Sequence, residues 1–266
     1  DMGLLFHILP GYLRTPVASW QTLEEYKTKN TPSTKEPKSL NWWQNYPKYI
    51  ASLLRAHYGM NATLEEAYSY LPKREDGQDC SWLTLFDNMH KGKFSGFFAW
   101  GMNPAASGAS SRKVREALAQ LDWMVNVNIF DSETGSFWKG PGMDPKKIKT
   151  EVFMLPCAAS IEKEGSITNS GRWMQWRYKA VDSPGVAMPD GEIITELFYK
   201  VKELYEKEGG PLKEAITKLT WDYGPKGVDG KVRHLDAHYI AREINGYFLE
   251  DKEIKGTLYK LSLIHI

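Results

Sequence analysis

Cysteine is scarce in this sequence. Cys80 and Cys157 are the two in 266 residues, too few for a disulfide framework or for ligating an iron–sulfur cluster unaided. An excess of charge of one sign is also missing. Lys plus Arg number 34 and Asp plus Glu 33, a net charge of +1 that excludes a basic chain built for nucleic acid and an acidic disordered tail. No apolar run reaches about eighteen residues, so no membrane-spanning helix is expected. No secretory signal, internal repeat or low-complexity tract is visible. Asp1 opens the chain in place of a methionine, so the sequence reads as a piece of a longer polypeptide. Several motifs are absent too: no G-x-G-x-x-G follows Trp100, there is no H-E-x-x-H, and no Ser–His–Asp or Cys–His set can be assembled.

What is present belongs to a folded chain. Hydrophobic residues make up 42%, with 10 Trp and 14 Tyr, enough for a sizeable core. The length corresponds to one or two domains at roughly 150 residues each. After an apolar opening at Leu4–Leu9, Thr22 is placed to cap a helix whose first turn holds Glu24 and Glu25. Residues 28–41, polar and with two prolines, read as a loop or linker. Pro47 starts a helix through His57, and Gly59 stops it. Thr63 and Glu66 form the pattern of a capping box, which accounts for Thr63 better than the Asn61-Ala62-Thr63 glycosylation sequon does. Leu83–Met89 reads as a third helix.

The pattern then changes. Phe94–Trp100 is a compact apolar run that fits a buried strand. A turn and a small-residue stretch follow. Then comes a helix with Val114, Ala117, Leu118 and Leu121 on one face, started by Ser110 or Ser111, and a second strand over Trp123–Phe130. Strand, helix and strand within about forty residues make a βαβ unit and imply parallel strands. Val152–Leu155 is a third strand candidate. Ile193–Tyr205 is an amphipathic helix, with further short helices over Leu212–Leu219 and Asp236–Ile244. The expected fold class is α/β: a partial Rossmann-like parallel sheet with helices, flanked by irregular and helical segments. The division is 1–90 (mainly helical), 91–185 (the sheet region) and 186–266 (helical and irregular).

Three polar bends carry the chemistry. Gly101 lets a backbone pass close to a ligand, Asn103 offers an amide, Pro104 fixes the turn, and Ser107, Ser110 and Ser111 add hydroxyls at a helix start. By spacing alone this is equally an ordinary βα turn with a capped helix. Asn128, followed by Asp131, Ser132, Glu133 and Thr134, would project beside it if the strands are neighbours, or be a plain strand-end turn. Glu164–Arg172 is a glycine-punctuated loop whose Arg can grip a phosphate. The WMQWRYK run after it resembles a single-strand nucleic-acid platform, but the neutral net charge argues against that, and Trp173 and Trp176 read as core or pocket wall. His234 and His238, four apart, read as a solvated helix face rather than metal ligands.

Five stretches give a resemblance: Asn41–Lys48 (NWWQNYPK), Gly101–Pro104 (GMNP), Asn128–Trp138 (NIFDSETGSFW), Lys149–Pro156 (KTEVFMLP) and Glu164–Trp176 (EGSITNSGRWMQW). Together with Pro189–Gly209 they resemble a central portion of the catalytic subunits of respiratory, membrane-associated formate dehydrogenases, in the molybdopterin oxidoreductase family. The resemblance implies oxidation of formate to carbon dioxide and binding of molybdopterin guanine dinucleotide holding molybdenum or tungsten. It also implies a [4Fe–4S] cluster ligated outside this segment, and partnership with an iron–sulfur subunit and a cytochrome b-type membrane subunit on the periplasmic side. The cofactor contacts it implies are Gly101, Asn103, Pro104 and Ser107 at the first bend, Asn128 and Thr134 at the second, and Thr168, Asn169, Arg172 and Gln175 at the third. It maps no catalytic residue and no metal ligand here, and the final Leu261–Ile266 resembles nothing in the family. The alternatives are another molybdopterin oxidoreductase, a generic nucleotide-binding α/β domain, or an interaction scaffold using the aromatic residues at Trp20, Trp42, Trp43, Tyr46 and Tyr49.

Overall fold

The computed structural model describes residues 13–31, 46–168, 174–245 and 252–259. Leu4–Leu9, Trp42, Trp43 and positions 32–41 of the expected linker lie outside the described residues. The elements in chain order begin with helices α1 (Leu23–Asn30), α2 (Tyr46–Tyr58), α3 (Leu64–Tyr70) and α4 (Trp82–His90). Strand β1 (Gly96–Trp100), helices α5 (Pro104–Ser107) and α6 (Ser111–Leu118), and strands β2 (Trp123–Asn128) and β3 (Glu151–Pro156) follow. Then come β4 (Gly165–Thr168), β5 (Met174–Arg177), α7 (Asp190–Glu208), α8 (Lys213–Thr217), α9 (Ala237–Asn245), β6 (Lys252–Ile254) and β7 (Thr257–Tyr259). The chain divides into two compact units. One falls within Asp1–Ala51, Leu71–Cys157 and Gly185–Ala187, the other within Ser52–Tyr70, Ala158–Pro184 and Met188–Ile266.

The first unit is the α/β part. Its sheet has three parallel strands in the order β1-β2-β3, in the register Phe98↔Val125↔Phe153. The connections from β1 to β2 and from β2 to β3 both pack on one face. There Val114, Ala117, Leu118 and Leu121 meet Ala99 and Met124 from the strands, Phe86 and Met89 from α4, and Phe137 from the second connection. Period-2 alternation in the strands and three- to four-residue spacing in α6 aim these side chains at one layer. Burying each large one contributes about 1.5–3 kcal/mol.

Local signals set most element ends. Thr22 and Glu25 form a full capping box on α1. Thr63 Oγ1 accepts from Glu66 N at 3.2 Å while Glu66 Oε2 accepts from Thr63 N at 2.8 Å. Ser81 caps α4. Some expectations are corrected. Residues 28–30 belong to α1 rather than to a loop. Ser110 is the N-cap of α6 by position, but its side chain makes no capping bond. β2 ends at Asn128 rather than Phe130, because Asn128 Oδ1 accepts from Ile129 N at 2.9 Å and turns the chain.

The second unit is built on α7. Thr195 is buried there, donating to Gly191 O and accepting from Trp221 Nε1 at 2.9 Å. The Trp221 ring stacks on Phe198 at 5.0 Å. Tyr70, Glu214 and Lys218 tie α3 to α8 through bonds of 2.7–2.9 Å. His57 of α2 is half-buried, and desolvation holds its imidazole below the usual 6.5, against the opposing pull of the Glu243 carboxylate. The unfolded chain therefore binds the proton more readily. Stability is fully present above about pH 7 and falls as the pH drops through 6.5 towards the depressed value. His57→Leu is expected to flatten the acid side of a plot of Tm against pH; an unchanged slope would assign that acid sensitivity elsewhere.

Candidate functional site

β1 delivers the chain to the first bend at the carboxyl edge of the sheet, where open parallel sheets bind ligands. Gly101 N still donates to Val127 O at 2.9 Å, and then φ of +61° turns the chain away. A Cβ on Gly101 would meet nothing within 4 Å, so it is the backbone conformation that favours glycine, and the outer side of the bend is open. Pro104 starts α5, where its missing N–H costs nothing.

Asn103 stands at the N-cap of α5 but does not cap it. Its amide reaches across to the second bend. Oδ1 accepts from Thr134 Oγ1 at 2.9 Å and Thr134 N at 3.1 Å, while Nδ2 donates to Glu133 Oε2 at 2.5 Å. In return the fully buried Thr134 accepts from Ala105 N at 3.0 Å. Each bend thus satisfies groups the other leaves open. The Asn103 hydrogen bond also holds the Glu133 carboxyl below the usual carboxylate range. Asn128 adds a third tie, donating to Met102 O at 3.4 Å. Ser107 donates to Asn103 O at 2.9 Å and remains exposed.

Two of the three expected bends are therefore laced together. Within them the side chains of Asn103 and Thr134 are largely spent on each other, so they position the bends. Gly101, Met102, Ala106, Ser107, Ile129 and Phe130 face outward. Ser132 Oγ in the second bend is buried with no hydrogen-bond partner, as is Asn126 Oδ1 in β2. The sequence marks Ser132 among the polar residues that follow Asn128, but it does not mark Asn126. The Asn at a core-facing position of WMVNVN is the signal that could have found the second.

The third stretch belongs to the second unit. The expected loop over Glu164–Arg172 is corrected: Gly165–Thr168 is strand β4, paired antiparallel with β5 in the register Ile167↔Gln175. Alternation on either side of a polar Asn-Ser-Gly is a hairpin signal that the loop reading passed over. Gln175 is exposed on β5. The Thr168 side chain, Asn169 and Arg172 lie outside the described residues. Trp176 packs at 4.8 Å on His238, and both bond Glu164 Oε1, at 3.1 and 3.0 Å. His234 precedes α9, so the two histidines do not share a helix face. Among the described residues no cluster of His, Cys, Asp or Glu could hold a metal, and no helix is long and apolar enough to cross a membrane. Both cysteines are free.

Parallel strands ending in two interlaced polar bends define an α/β unit with a polar carboxyl edge. No family model matches the chain. Among curated proteins it is 59% identical over 260 residues to formate dehydrogenase subunit alpha of Megalodesulfovibrio gigas, covering 98% of this chain. It is 46% identical to formate dehydrogenase 2 subunit alpha (cytochrome c-553) of Nitratidesulfovibrio vulgaris, over 98% of the chain. Against the nitrate-inducible formate dehydrogenase major subunit of Escherichia coli the figures are 39% and 94%. The chain thus matches formate dehydrogenase alpha, or major, subunits along nearly all its length, and it spans about a quarter of theirs.

Proposed function

We propose that this chain is the segment of a formate dehydrogenase catalytic subunit that seats part of a molybdopterin guanine dinucleotide. The observation that supports this most is the pair of interlaced bends beside an open, positive-φ Gly101, in a chain so similar to formate dehydrogenase alpha subunits. The residues fit such a group. The Gly101 backbone leaves room for a bulky ligand, Ser107 has an exposed hydroxyl, and the partnerless Ser132 hydroxyl lacks the hydrogen bond that buried polar groups require.

When bound, the metal–pterin group supplies the two-electron oxidation of formate to carbon dioxide. The chain's own residues bind and orient. Asn103, Thr134 and Asn128 hold the two bends of the first unit in register, and Pro104 and Ser107 set the first helical turn. In the second unit, Thr168, Asn169, Arg172 and Gln175 are the polar groups and the cation that the resemblance assigns to cofactor binding. The whole subunit would ligate a [4Fe–4S] cluster outside this segment and pass electrons to an iron–sulfur subunit and a cytochrome b-type membrane subunit in the periplasm.

The test uses a polypeptide of the relatives' length. Gly101→Leu, which places a side chain at φ of +61° for roughly 1–2 kcal/mol of strain, is expected to lose most of the guanine nucleotide released by acid and formate-dependent dye reduction together. Normal nucleotide content in a folded variant would overturn the assignment. The 266-residue chain alone is expected to show no formate oxidation.

A further inference from the structure

The β4–β5 hairpin is too small to hold itself in place. Its strands are four residues each, and a lone two-stranded hairpin is at best marginally stable in water. Ser166, Ile167, Gln175 and Arg177 are all exposed, while Trp176 is half-buried. What docks Trp176 therefore decides where the hairpin sits.

The docking partner is α9, in the same unit. The Trp176 ring lies 4.8 Å from the His238 imidazole, tilted by 38°. Glu164, the residue before β4, ties the two together. Its Oε1 accepts from Trp176 Nε1 at 3.1 Å and pairs with His238 Nε2 at 3.0 Å, which donates when the ring proton is on that nitrogen. β4 also starts against the helix: a Cβ on Gly165 would lie 3.9 Å from Ala237 Cβ.

α9 is itself well anchored. Asp236, the residue before it, donates its N–H to Tyr223 O at 2.8 Å. Asp236 Oδ1 accepts from His238 N at 2.8 Å and so sets the first turn that carries the imidazole. Tyr223 Oη donates to Glu243 Oε1 at 3.0 Å. Tyr223 thus grips α9 at its start and near its end, which makes the helix the platform and the hairpin the part that is held.

We propose that His238 is a positioning residue. Through Glu164 and Trp176 it clasps the base of the β4–β5 hairpin to α9, and so sets where the stretch from Thr168 to Gln175 is presented. The consequence for the cofactor rests on that stretch belonging to the cofactor seat, as proposed above; the clasp itself does not.

The test is amide hydrogen exchange. His238→Leu removes the donor, and His238→Gln keeps an N–H where Nε2 stands. In the 266-residue chain the leucine variant is expected to exchange its β4–β5 amides about 5-fold faster while α7 keeps its rates, and glutamine is expected to restore most of the protection. In a polypeptide of the relatives' length, the leucine variant is expected to release guanine nucleotide about 5-fold faster on mild warming, and the glutamine variant at nearly the original rate. Unchanged β4–β5 exchange in the leucine variant overturns the proposal. So does equal acceleration in α7, or a glutamine variant that behaves like leucine. Faster hairpin exchange with unchanged nucleotide release upholds the clasp and overturns the assignment of the hairpin to the cofactor.

Discussion

Phe137→Ala is expected to cost the first unit about 3–5 kcal/mol, the range for deleting a buried aromatic side chain. Phe137 is fully buried, begins a short 3-10 turn (Phe137–Lys139) and packs in the main cluster with Leu118, Leu121 and Met124. It sits three residues after Thr134, so its ring anchors the far end of the second bend to the core. Removing it leaves a cavity and frees the segment that carries Asp131–Thr134. Denaturant unfolding of the 266-residue chain measures the loss. A cost below about 1 kcal/mol would show that the bend is held by its hydrogen bonds without the ring.

Thr134→Val should cost about 1–3 kcal/mol although the two side chains have nearly the same shape. The hydroxyl is fully buried, donates to Asn103 Oδ1 and accepts from Ala105 N. Valine leaves the Ala105 amide without its acceptor and removes one of the two donors to Asn103. Thr134→Ser, which keeps the hydroxyl, is expected to recover most of the loss. The Asn103→Ala substitution should then be non-additive with Thr134→Val, because both break the same clasp. Additive costs in the double-mutant cycle would mean that the two bends are stabilised independently. In the longer polypeptide the same valine variant is expected to lower cofactor content in step with stability, since it acts through the position of Gly101 and Ser107.

The helices with local caps were readable because their signals lie within four residues. Thr22 with Glu25 and Thr63 with Glu66 each satisfy orphan donors of their own first turn. The βαβ order was readable because a compact apolar run, a small-residue turn and a 3.6-period helix succeed one another over residues 94–130. The β4–β5 pair is not legible in the sequence, because its strands are four residues each and the polar residues beside them carry loop signals. The sequence marks Asn103 and Thr134 as groups that would meet a ligand. That they first meet each other depends on neighbouring strands, paired 27 residues apart in sequence, ending at the same level.

Sequence by itself determined the longer helices, the parallel sheet and the chemical character of the first two bends, since periodicity, caps and turn residues act over short stretches of chain. Only the tertiary structure decided which polar groups remain open. A side chain's hydrogen bonds are allotted by what the fold brings within about 3 Å of it. At the carboxyl edge of this sheet the fold allots Asn103 and Thr134 to the clasp, gives the Ser107 hydroxyl to Asn103 O, and leaves the Ser132 hydroxyl without a partner.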